Sequence, residues 1–177
     1  MQHLLPQHGV TLIEACVVMA VFGVVASVAA PGMQKMLDTR RLDGVATQLA
    51  TDIQFTRTDA VARNQPLRLS FYAGAGGSCY VIHTGNRSQC QCRAEGPAEC
   101  VGDARQIKTV TLAAADRVVL QANAGSVLFD PLHGTSTPAA TLRLLDPHLR
   151  EVQHVVNVMG RVRSCSPAGA VPGYSAC

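Results

Sequence analysis

Residues 9–14 read Gly9-Val10-Thr11-Leu12-Ile13-Glu14, and no further charge occurs from residue 15 to residue 30. Residues 12–30 form an apolar segment of 19 positions whose one charge is Glu14. A helix of about this length crosses the ~30 Å hydrocarbon core of a bilayer. Because a charge inside hydrocarbon is costly unless it has a partner, the stretch predicts a membrane helix in which Glu14 has a specific function.

The apolar segment could also be a secretory signal or a plain N-terminal anchor. A secretory signal is cleaved after its apolar core and is discarded. Here Gly9 precedes the core, so cleavage at Gly9 would leave the helix in the mature protein. A plain anchor would tolerate Glu14 near the membrane interface, and the apolar run alone does not decide against it.

The motif at residues 9–14 resembles the prepilin cleavage motif of type IV pilins and type II secretion pseudopilins. The resemblance implies a leader of residues 1–9 that a prepilin peptidase removes after Gly9, and methylation of the new N-terminal residue, Val10. It also implies that Glu14 becomes the fifth mature residue and pairs with the N-terminal amine of a neighbouring subunit during assembly. The charge in lipid then has a partner once the subunit joins a filament.

The helix is predicted to continue beyond the membrane as an amphipathic segment. Six residues step by three or four positions and share one helical face: Leu42, Val45, Leu49, Ile53, Thr56 and Ala60. This face is expected to pack on a sheet. Gln65-Pro66 is predicted to end the helix, because the residue before a proline favours extended backbone.

Short β-favouring runs separated by Gly, Pro, Asn and Asp follow the helix. The predicted strands are residues 67–72, 79–83, 108–112, 118–122, 127–129, 141–145 and 151–158, and the predicted loops are residues 74–78, 85–103 and 133–140. One long helix followed by a sheet indicates an α+β fold with the helix on one face. With the resemblance, the expected architecture is type IV pilin-like: a long N-terminal helix packed on an antiparallel β-sheet, with a disulfide-braced C-terminal tail.

The expected organisation is a prepilin leader (1–9), a transmembrane and assembly half of the helix (10–31) and a globular periplasmic domain (32–177). Residues 49–66 and the motif Phe129-Asp130-Pro131-Leu132-His133-Gly134-Thr135 narrow the resemblance to GspH/FimT-type minor pilins. It implies a subunit of low abundance near the tip of a pilus or pseudopilus, with other major and minor pilins as partners. It also implies location in the inner membrane before assembly and in a pilus at the surface of a Gram-negative bacterium afterwards.

Seven cysteines indicate an oxidising compartment. Cys16 lies in the apolar run and is expected to be a lone, buried thiol. The other six are Cys79, Cys90, Cys92, Cys100, Cys165 and Cys177. Six cysteines allow fifteen pairings; the favoured pair is Cys165–Cys177, which would close a small C-terminal loop and leave the other four to brace residues 85–103. The alternative is a zinc site that uses those four with His83, although Cys-x-Cys spacing fits tetrahedral zinc less well than Cys-x-x-Cys.

Catalysis has little support in the sequence. The six histidines are scattered, and none has a Ser, Cys or carboxylate partner at motif spacing. No glycine-rich loop follows a predicted strand and opens a helix, as a phosphate-binding loop would. We therefore expect no enzymatic activity, no cofactor and no bound metal.

The basic residues are concentrated after the apolar segment. All 15 Lys and Arg follow Pro31, together with 11 of the 12 acidic residues, so this part of the chain has a formal charge of +4. Residues 152–177 contain two arginines and no acid, in the sequence Gly160-Arg161-Val162-Arg163. On a strand the two arginines would project from one side, ~6.6 Å apart. They could bind an anionic polymer or protect an exposed edge strand by charge, and their spacing alone favours neither.

Gly-Arg-Val-Arg followed by Ser164-Cys165 resembles the C-terminal Gly-Arg-x-Arg signature of FimT-type minor pilins linked to DNA uptake. The resemblance implies binding of double-stranded DNA during natural transformation, with Arg161 and Arg163 as the leading contacts and Gly160 as the conformational residue. Three weaker candidates for the same basic surface are Arg150, Lys108 and Arg105. Aromatic residues are few, so binding is expected to be directed at the phosphate backbone and independent of sequence. The alternative is a structural tip or priming pseudopilin of a type II secretion system that contacts only other subunits.

Overall fold

The computed structural model describes residues 11–74, 76–93 and 96–177 of the chain. The predicted leader and the predicted cleavage and methylation residues, Gly9 and Val10, lie outside the described residues. The chain divides into two units, Met1–Leu37 and Asp38–Cys177. All of the described strands belong to the second unit.

The first unit contains the apolar half of helix α1 (Leu12–Ala62). Thr11 precedes the helix, and its Oγ1 accepts a hydrogen bond from the Glu14 N–H at 3.4 Å, so Thr11 caps the helix N-terminus. By length and composition this helix could cross a membrane, and its apolar window has a mean hydropathy of 2.4. Cys16, expected to be lone and buried, is free but exposed.

In the second unit α1 is amphipathic, as the spacing predicts. Its fully buried positions are Leu42, Ala46, Leu49, Ile53, Thr56 and Ala60. Val45, which the spacing also placed on this face, is only half-buried. The buried stripe therefore follows the predicted face with Ala46 in the place expected for Val45.

The helix ends at Ala62, before the predicted end at Gln65-Pro66. Asn64 has a left-handed backbone with φ 50, a conformation common just beyond the end of a helix. The Gln65 N–H donates to the Ala60 carbonyl at 3.1 Å and closes the last turn. A left-handed cap thus stops the helix before Pro66 is reached.

The described chain then forms eleven strands. They are β1 (Leu67–Gly74), β2 (Gly77–His83), β3 (Cys90–Gln91), β4 (Glu99–Cys100), β5 (Gln106–Ala113), β6 (Val119–Ala122), β7 (Ser126–Phe129), β8 (Ser136–Thr137), β9 (Ala140–Leu145), β10 (Glu151–Val156) and β11 (Val162–Cys165). A five-stranded sheet, here the large sheet, has the order β5-β2-β1-β7-β8, and a four-stranded sheet, here the C-terminal sheet, has the order β11-β10-β9-β6. Strands β3 and β4 pair only with each other, and every pairing between these named strands is antiparallel. An isolated parallel bridge joins Ser166 to Ala176.

Seven of these strands correspond to the predicted runs. Strand β11 contains Arg163 of the motif that was considered as a possible strand, and the other three strands were not predicted. Strands β3 and β4 lie in the predicted loop 85–103, and β8 lies in the predicted loop 133–140. A strand of two residues is too short to show an alternation of apolar and polar residues in the sequence. These three strands are therefore defined only by their pairing with another strand. β10 ends at Val156 rather than at residue 158, because a turn begins at Asn157.

One hydrophobic core joins the helix to both sheets. Leu49 and Ile53 of α1 are fully buried together with Phe129 of the large sheet and with Leu142 and Leu144 of the C-terminal sheet. Each such side chain contributes roughly 1.5–3 kcal/mol when it is buried fully. The helix therefore packs on the sheets as the α+β prediction required.

The second unit starts in the middle of α1, at Asp38. Asp38 is the first buried carboxylate of the helix, and the Arg117 guanidinium donates to both of its oxygens at 2.9 Å. The His148 ring lies 3.3 Å from the same carboxylate. These contacts join the start of the second unit's part of α1 to Arg117 and His148.

A second buried carboxylate joins the helix to the large sheet. The Tyr80 hydroxyl donates to Asp52 Oδ2 at 2.7 Å, and the Lys108 ammonium donates to Asp52 Oδ1 at 2.6 Å. Burial, and then the neighbouring Asp52, raises the pKa of the Tyr80 phenol far above its usual value. The hydroxyl is therefore protonated and available as a donor throughout the physiological range.

Three disulfides involve the six cysteines of the second unit. Cys165 pairs with Cys177, the pair favoured by the sequence. Of the other four, Cys79 pairs with Cys92 and Cys90 pairs with Cys100, which braces the segment that contains β3 and β4. These four sulfurs are therefore engaged in bridges, whereas His83 is buried and shares a hydrogen bond of 2.9 Å with Ser70.

We expect the double substitution Cys165→Ser and Cys177→Ser to lower the free energy of unfolding by about 3 kcal/mol. The bridge joins residues 12 positions apart and restricts the unfolded chain. Urea denaturation followed by circular dichroism measures the change. Cys16→Ser, which removes a thiol that forms no disulfide, is the control and should leave the midpoint unchanged. An unchanged midpoint in the double variant would contradict the prediction.

Candidate nucleic-acid interface

Arg161 and Arg163 belong to the hairpin that joins β10 to β11. The Asn157 N–H donates to the Arg161 carbonyl at 3.1 Å, and the Gly160 N–H donates to the Asn157 carbonyl at 2.8 Å. These bonds close a three-residue loop, 158–160, in which Gly160 is left-handed with φ +69. A type I turn followed by a left-handed residue is a common form of such a loop.

The Asn157 side chain and β8 also hold this turn. Asn157 Oδ1 accepts hydrogen bonds from the N–H of Met159 at 3.1 Å and the N–H of Arg161 at 3.0 Å. Ser136 Oγ donates to the Asn157 carbonyl at 2.6 Å, and the Ser136 N–H donates to the Val158 carbonyl at 2.9 Å. The tip of the hairpin is thereby bonded to the large sheet as well as to its own strands.

Gly160 occupies a position that has no room for a side chain. A Cβ there would collide with the Gly134 carbonyl oxygen and would lie 2.9 Å from Arg57 Nε. Arg57 Nε, from α1, donates to the same Gly134 carbonyl at 2.8 Å. These three residues, the arginine–glycine junction, bring the helix, a loop and the hairpin together at one point.

Asp130 shapes the loop that carries Gly134. Its Oδ1 accepts hydrogen bonds from the N–H of His133 at 2.9 Å and of Leu132 at 3.0 Å. The bond from the His133 N–H is the main cause that lowers the pKa of the Asp130 carboxyl. The Gly134 N–H donates to the Asp130 carbonyl at 3.0 Å. The motif at residues 129–135 therefore orients the carbonyl that the junction uses.

The side chains of Arg161 and Arg163 lie on the outer, solvent-facing side of the C-terminal sheet. Arg163 lies opposite the exposed Val155 of β10. Arg161, two positions before Arg163, lies opposite Asn157 at the turn end of the hairpin. Both arginines are exposed, and neither guanidinium has a hydrogen bond or ion pair within the described part of the chain. β11 is also the edge strand of its sheet, so protection of an edge by charge fits this position too.

Arg163 borders a depression of about 400 Å³ that lies between β11 and the C-terminal tail. Ser175 and Ala176 line its other side, and the Cys165–Cys177 bridge contributes to its wall. The Ser166 N–H donates to the Ser175 carbonyl at 2.9 Å. The tail is thus held beside β11, and Arg163 projects from a surface that strand and tail form together.

His154 supports β11 from the buried side of the sheet. Its Nδ1 shares a hydrogen bond of 2.8 Å with Ser164 Oγ. Burial lowers the pKa of His154 to about 4, and the Ala46 backbone carbonyl opposes this change only in part. His154 is therefore uncharged at neutral pH, so it holds β11 without adding to the charge of the arginine pair.

The three weaker candidates lie apart from the arginine pair. Arg150 precedes β10, at the opposite end of this strand from the turn, where it pairs with Asp146 at 2.5 Å and donates to Thr39. Lys108 lies on β5 of the large sheet, where it forms the ion pair with Asp52. Arg105 is exposed just before the same strand. The structure therefore does not place these cations beside Arg161 and Arg163.

The residues that fix the hairpin were not predicted from the sequence. The spacing Asn157-x-x-Gly160 is typical of a type I turn and could have indicated the turn. The contact of Arg57 with Gly134 joins positions 77 residues apart, and no local pattern reveals it.

Glu14, the predicted assembly residue, lies in the first turn of α1, where Thr11 and Glu14 have the spacing of a capping box.

The fold is that of a type IV pilin-like subunit: a helix that is apolar and then amphipathic, packed on antiparallel sheets. It is similar to the crystal structure of the type IV minor pilin FimU of Pseudomonas aeruginosa, with a TM-score of 0.53 and 14% sequence identity. The match covers 72% of this chain and 93% of the FimU chain. At this identity the likeness shows the fold alone.

A family model described as Type II transport protein GspH matches residues 45–160, and one described as the prokaryotic N-terminal methylation motif matches residues 5–30. No curated protein matches the sequence. The chain belongs to the GspH family and is a minor pilin or pseudopilin of the GspH/FimT type. The GspH match ends at residue 160, so Arg161 and Arg163 lie beyond it.

Gly160→Ala is expected to lower the free energy of unfolding by about 3 kcal/mol, and Gly169→Ala by about 1 kcal/mol. The two glycines have similar left-handed backbones, with φ +69 and φ +64. A Cβ at Gly160 meets the Gly134 carbonyl and Arg57, whereas nothing lies within 4 Å of a Cβ at Gly169. Urea unfolding of both variants separates two costs. Gly169→Ala reports the cost of a left-handed alanine alone, and Gly160→Ala adds the collision of its Cβ with Gly134 and Arg57. Equal losses would show that the junction does not require glycine.

His154 is expected to make the protein less stable as the pH falls from 6.5 to about 4. In the unfolded chain the imidazole binds its proton near pH 6.5, and in the folded protein only near 4. The unfolded state therefore binds more protons in this range, so the contribution is complete above pH 6.5 and is lost at about pH 4. It amounts to about 3 kcal/mol.

To test this, the free energy of unfolding in urea is measured at pH 7 and at pH 4.5, both for the wild type and for the His154→Gln variant. Burial also lowers the pKa of His83, but His83 is present in both proteins and its effect cancels. The wild type should lose more stability between the two pH values than the variant does. The same loss in both proteins would refute the assignment to His154.

Proposed function

We propose that this minor pilin binds double-stranded DNA without sequence preference and takes part in DNA uptake during natural transformation. The observation that carries the proposal is the pair Arg161 and Arg163, exposed on one face of a hairpin without an internal partner in the described part of the chain. A guanidinium donates two parallel hydrogen bonds to a phosphate. Two such groups, ~6.6 Å apart on an extended chain, can contact phosphates of one strand.

The backbone that carries the pair is ordered by contacts that do not use the two guanidinium groups. The Asn157 side chain, β8 and the arginine–glycine junction hold the turn before Arg161. The His154 contact with Ser164 and the Cys165–Cys177 bridge hold the strand after Arg163. A cation on an ordered backbone loses less conformational entropy on binding than one on a mobile tail.

The composition of the C-terminal sheet supports contacts with phosphates rather than with bases. Strands β6, β9, β10 and β11 contain no Phe, Tyr or Trp. Stacking on aromatic side chains is the usual way in which proteins hold exposed bases. Contacts from arginine to phosphate favour neither one base sequence nor another, and they weaken as salt rises.

In the same proposal the N-terminal helix inserts the subunit into a filament. A prepilin peptidase cleaves after Gly9 and Val10 is methylated, while the helix lies in the inner membrane and the globular unit in the periplasm. Glu14 then pairs with the N-terminal amine of a neighbouring pilin, and the assembled pilus reaches the surface of a Gram-negative bacterium. The role needs neither catalysis nor a cofactor, since binding and transport of the polymer suffice.

Arg161→Gln combined with Arg163→Gln is expected to weaken binding to a DNA duplex at least tenfold at low salt. The slope of log K against log salt concentration should fall by about 2, since each phosphate contact contributes about 0.9. Fluorescence anisotropy of a labelled duplex, with the full chain in a neutral detergent, measures both quantities. The control, Arg40→Gln with Arg41→Gln, removes the same charge from exposed positions of α1.

Equal weakening by the two double variants would mean that only net charge matters and would contradict the proposed site. In cells, the Arg161 and Arg163 variant should lose transformation while secretion of exoproteins continues. Loss of secretion with normal transformation would indicate the structural role in a type II secretion system instead.

A further inference from the structure

We infer that the DNA-binding surface extends across the outer face of the C-terminal sheet to Arg143, and that Glu151 competes with DNA for this arginine. The inference rests on the proposed function, because it names further contacts of the same site. The further contacts lie on β9 and β10, two strands that precede the Gly-Arg-Val-Arg motif in the sequence. The partner remains the phosphate backbone of duplex DNA.

The strand register places Arg143 on the same face as the arginine pair. Arg163 pairs with Val155, and the next outward-facing position of β10, Gln153, pairs with Arg143 on β9. On the other side of β9, Gln121 of β6 lies opposite Arg143. Adjacent strands are about 4.8 Å apart and successive outward residues about 6.6 Å apart. Arg143 thus lies about 12 Å from Arg163, measured between Cα atoms.

The surface between these arginines is shallow and polar. A depression of about 370 Å³ is lined by Gln121, Ala122, Asn123, Thr141, Arg143 and Gln153. Gln153 also lines the depression beside Arg163, so the two depressions adjoin. Amide and hydroxyl groups such as these donate hydrogen bonds to phosphate oxygens. A DNA backbone crossing from Arg163 to Arg143 would therefore meet hydrogen-bonding groups between them.

Glu151 opposes binding at the Arg143 end of this surface. Its Oε1 lies 3.4 Å from Arg143 Nε and accepts a hydrogen bond from Gln153 Nε2 at 2.7 Å. The Arg143 side chain is 54% exposed and that of Glu151 is 18% exposed. An ion pair with this exposure contributes less than about 1 kcal/mol, so a phosphate can displace the carboxylate. Arg143 is therefore held in place when DNA is absent and available when DNA arrives.

The test measures duplex binding across a salt series with the full chain in a neutral detergent. Arg143→Gln should weaken binding about threefold to tenfold and lower the salt slope by about 0.9, the value of one phosphate contact. Arg143→Lys, which keeps the charge, should retain the slope. Glu151→Gln should strengthen binding several-fold, since it removes a negative charge and the competitor for Arg143.

A second exposed ion pair provides the matched controls. Arg93 lies 3.6 Å from Glu99, with both side chains exposed, in the segment braced by the Cys90–Cys100 bridge and outside the C-terminal sheet. Arg93→Gln and Glu99→Gln change the net charge by the same amounts as the two test variants. Both control variants should bind DNA with nearly the wild-type slope. Urea midpoints near that of the wild type establish that all variants are folded.

The outcomes separate this inference from the proposed function. If Arg143→Gln behaves like Arg93→Gln while the Arg161 and Arg163 variant loses binding, the extended surface is refuted and the proposed function stands. If the Arg161 and Arg163 variant binds as well as its own control, the proposed function is refuted. If Glu151→Gln and Glu99→Gln strengthen binding equally, the role of Glu151 as a local competitor is refuted.

Discussion

The hydrogen bond from Arg57 Nε to the Gly134 carbonyl joins three distant parts of the chain at one point. Gly160 packs against both partners, and only a residue without a side chain fits there. The bond therefore sets where the β10–β11 hairpin lies relative to the helix. The direction of Arg161 and Arg163 depends on this placement, since both lie within three residues after Gly160.

Five arginines of the globular unit differ in whether they contact a carboxylate and in how deeply that carboxylate is buried. Arg117 and Arg150 form ion pairs with the buried carboxylates Asp38 and Asp146 and so hold the fold together. Arg161 and Arg163 have no such partner among the described residues. Burial of the partner decides which of these arginines can bind a ligand, because an arginine that left a buried carboxylate would leave that charge uncompensated. The partner of Arg143, Glu151, is 18% exposed, whereas Asp38 and Asp146 are fully buried.

Much of the architecture was predictable because it depends on local periodicity. The buried stripe from Leu42 to Ala60 and seven of the strands followed from residues a few positions apart. The two-residue strands were not predictable, since a partner elsewhere in the chain defines each of them. The same limit applied to the candidate site. Arg161 and Arg163 are two positions apart in the sequence, whereas Arg143 lies on their face only through the strand order β11-β10-β9.

The sequence by itself determined the class of protein, the apolar helix with Glu14 near its start, and the presence of two neighbouring cations near the C-terminus. Each of these depends on residues within one short segment. The tertiary structure decided which cations are available and which support the fold. Lys108, predicted as a weaker member of the basic surface, instead pairs with Asp52, which lies 56 positions away in the sequence. Such pairs form only when helix and sheet pack together, so the sequence pattern around either residue contains no sign of them.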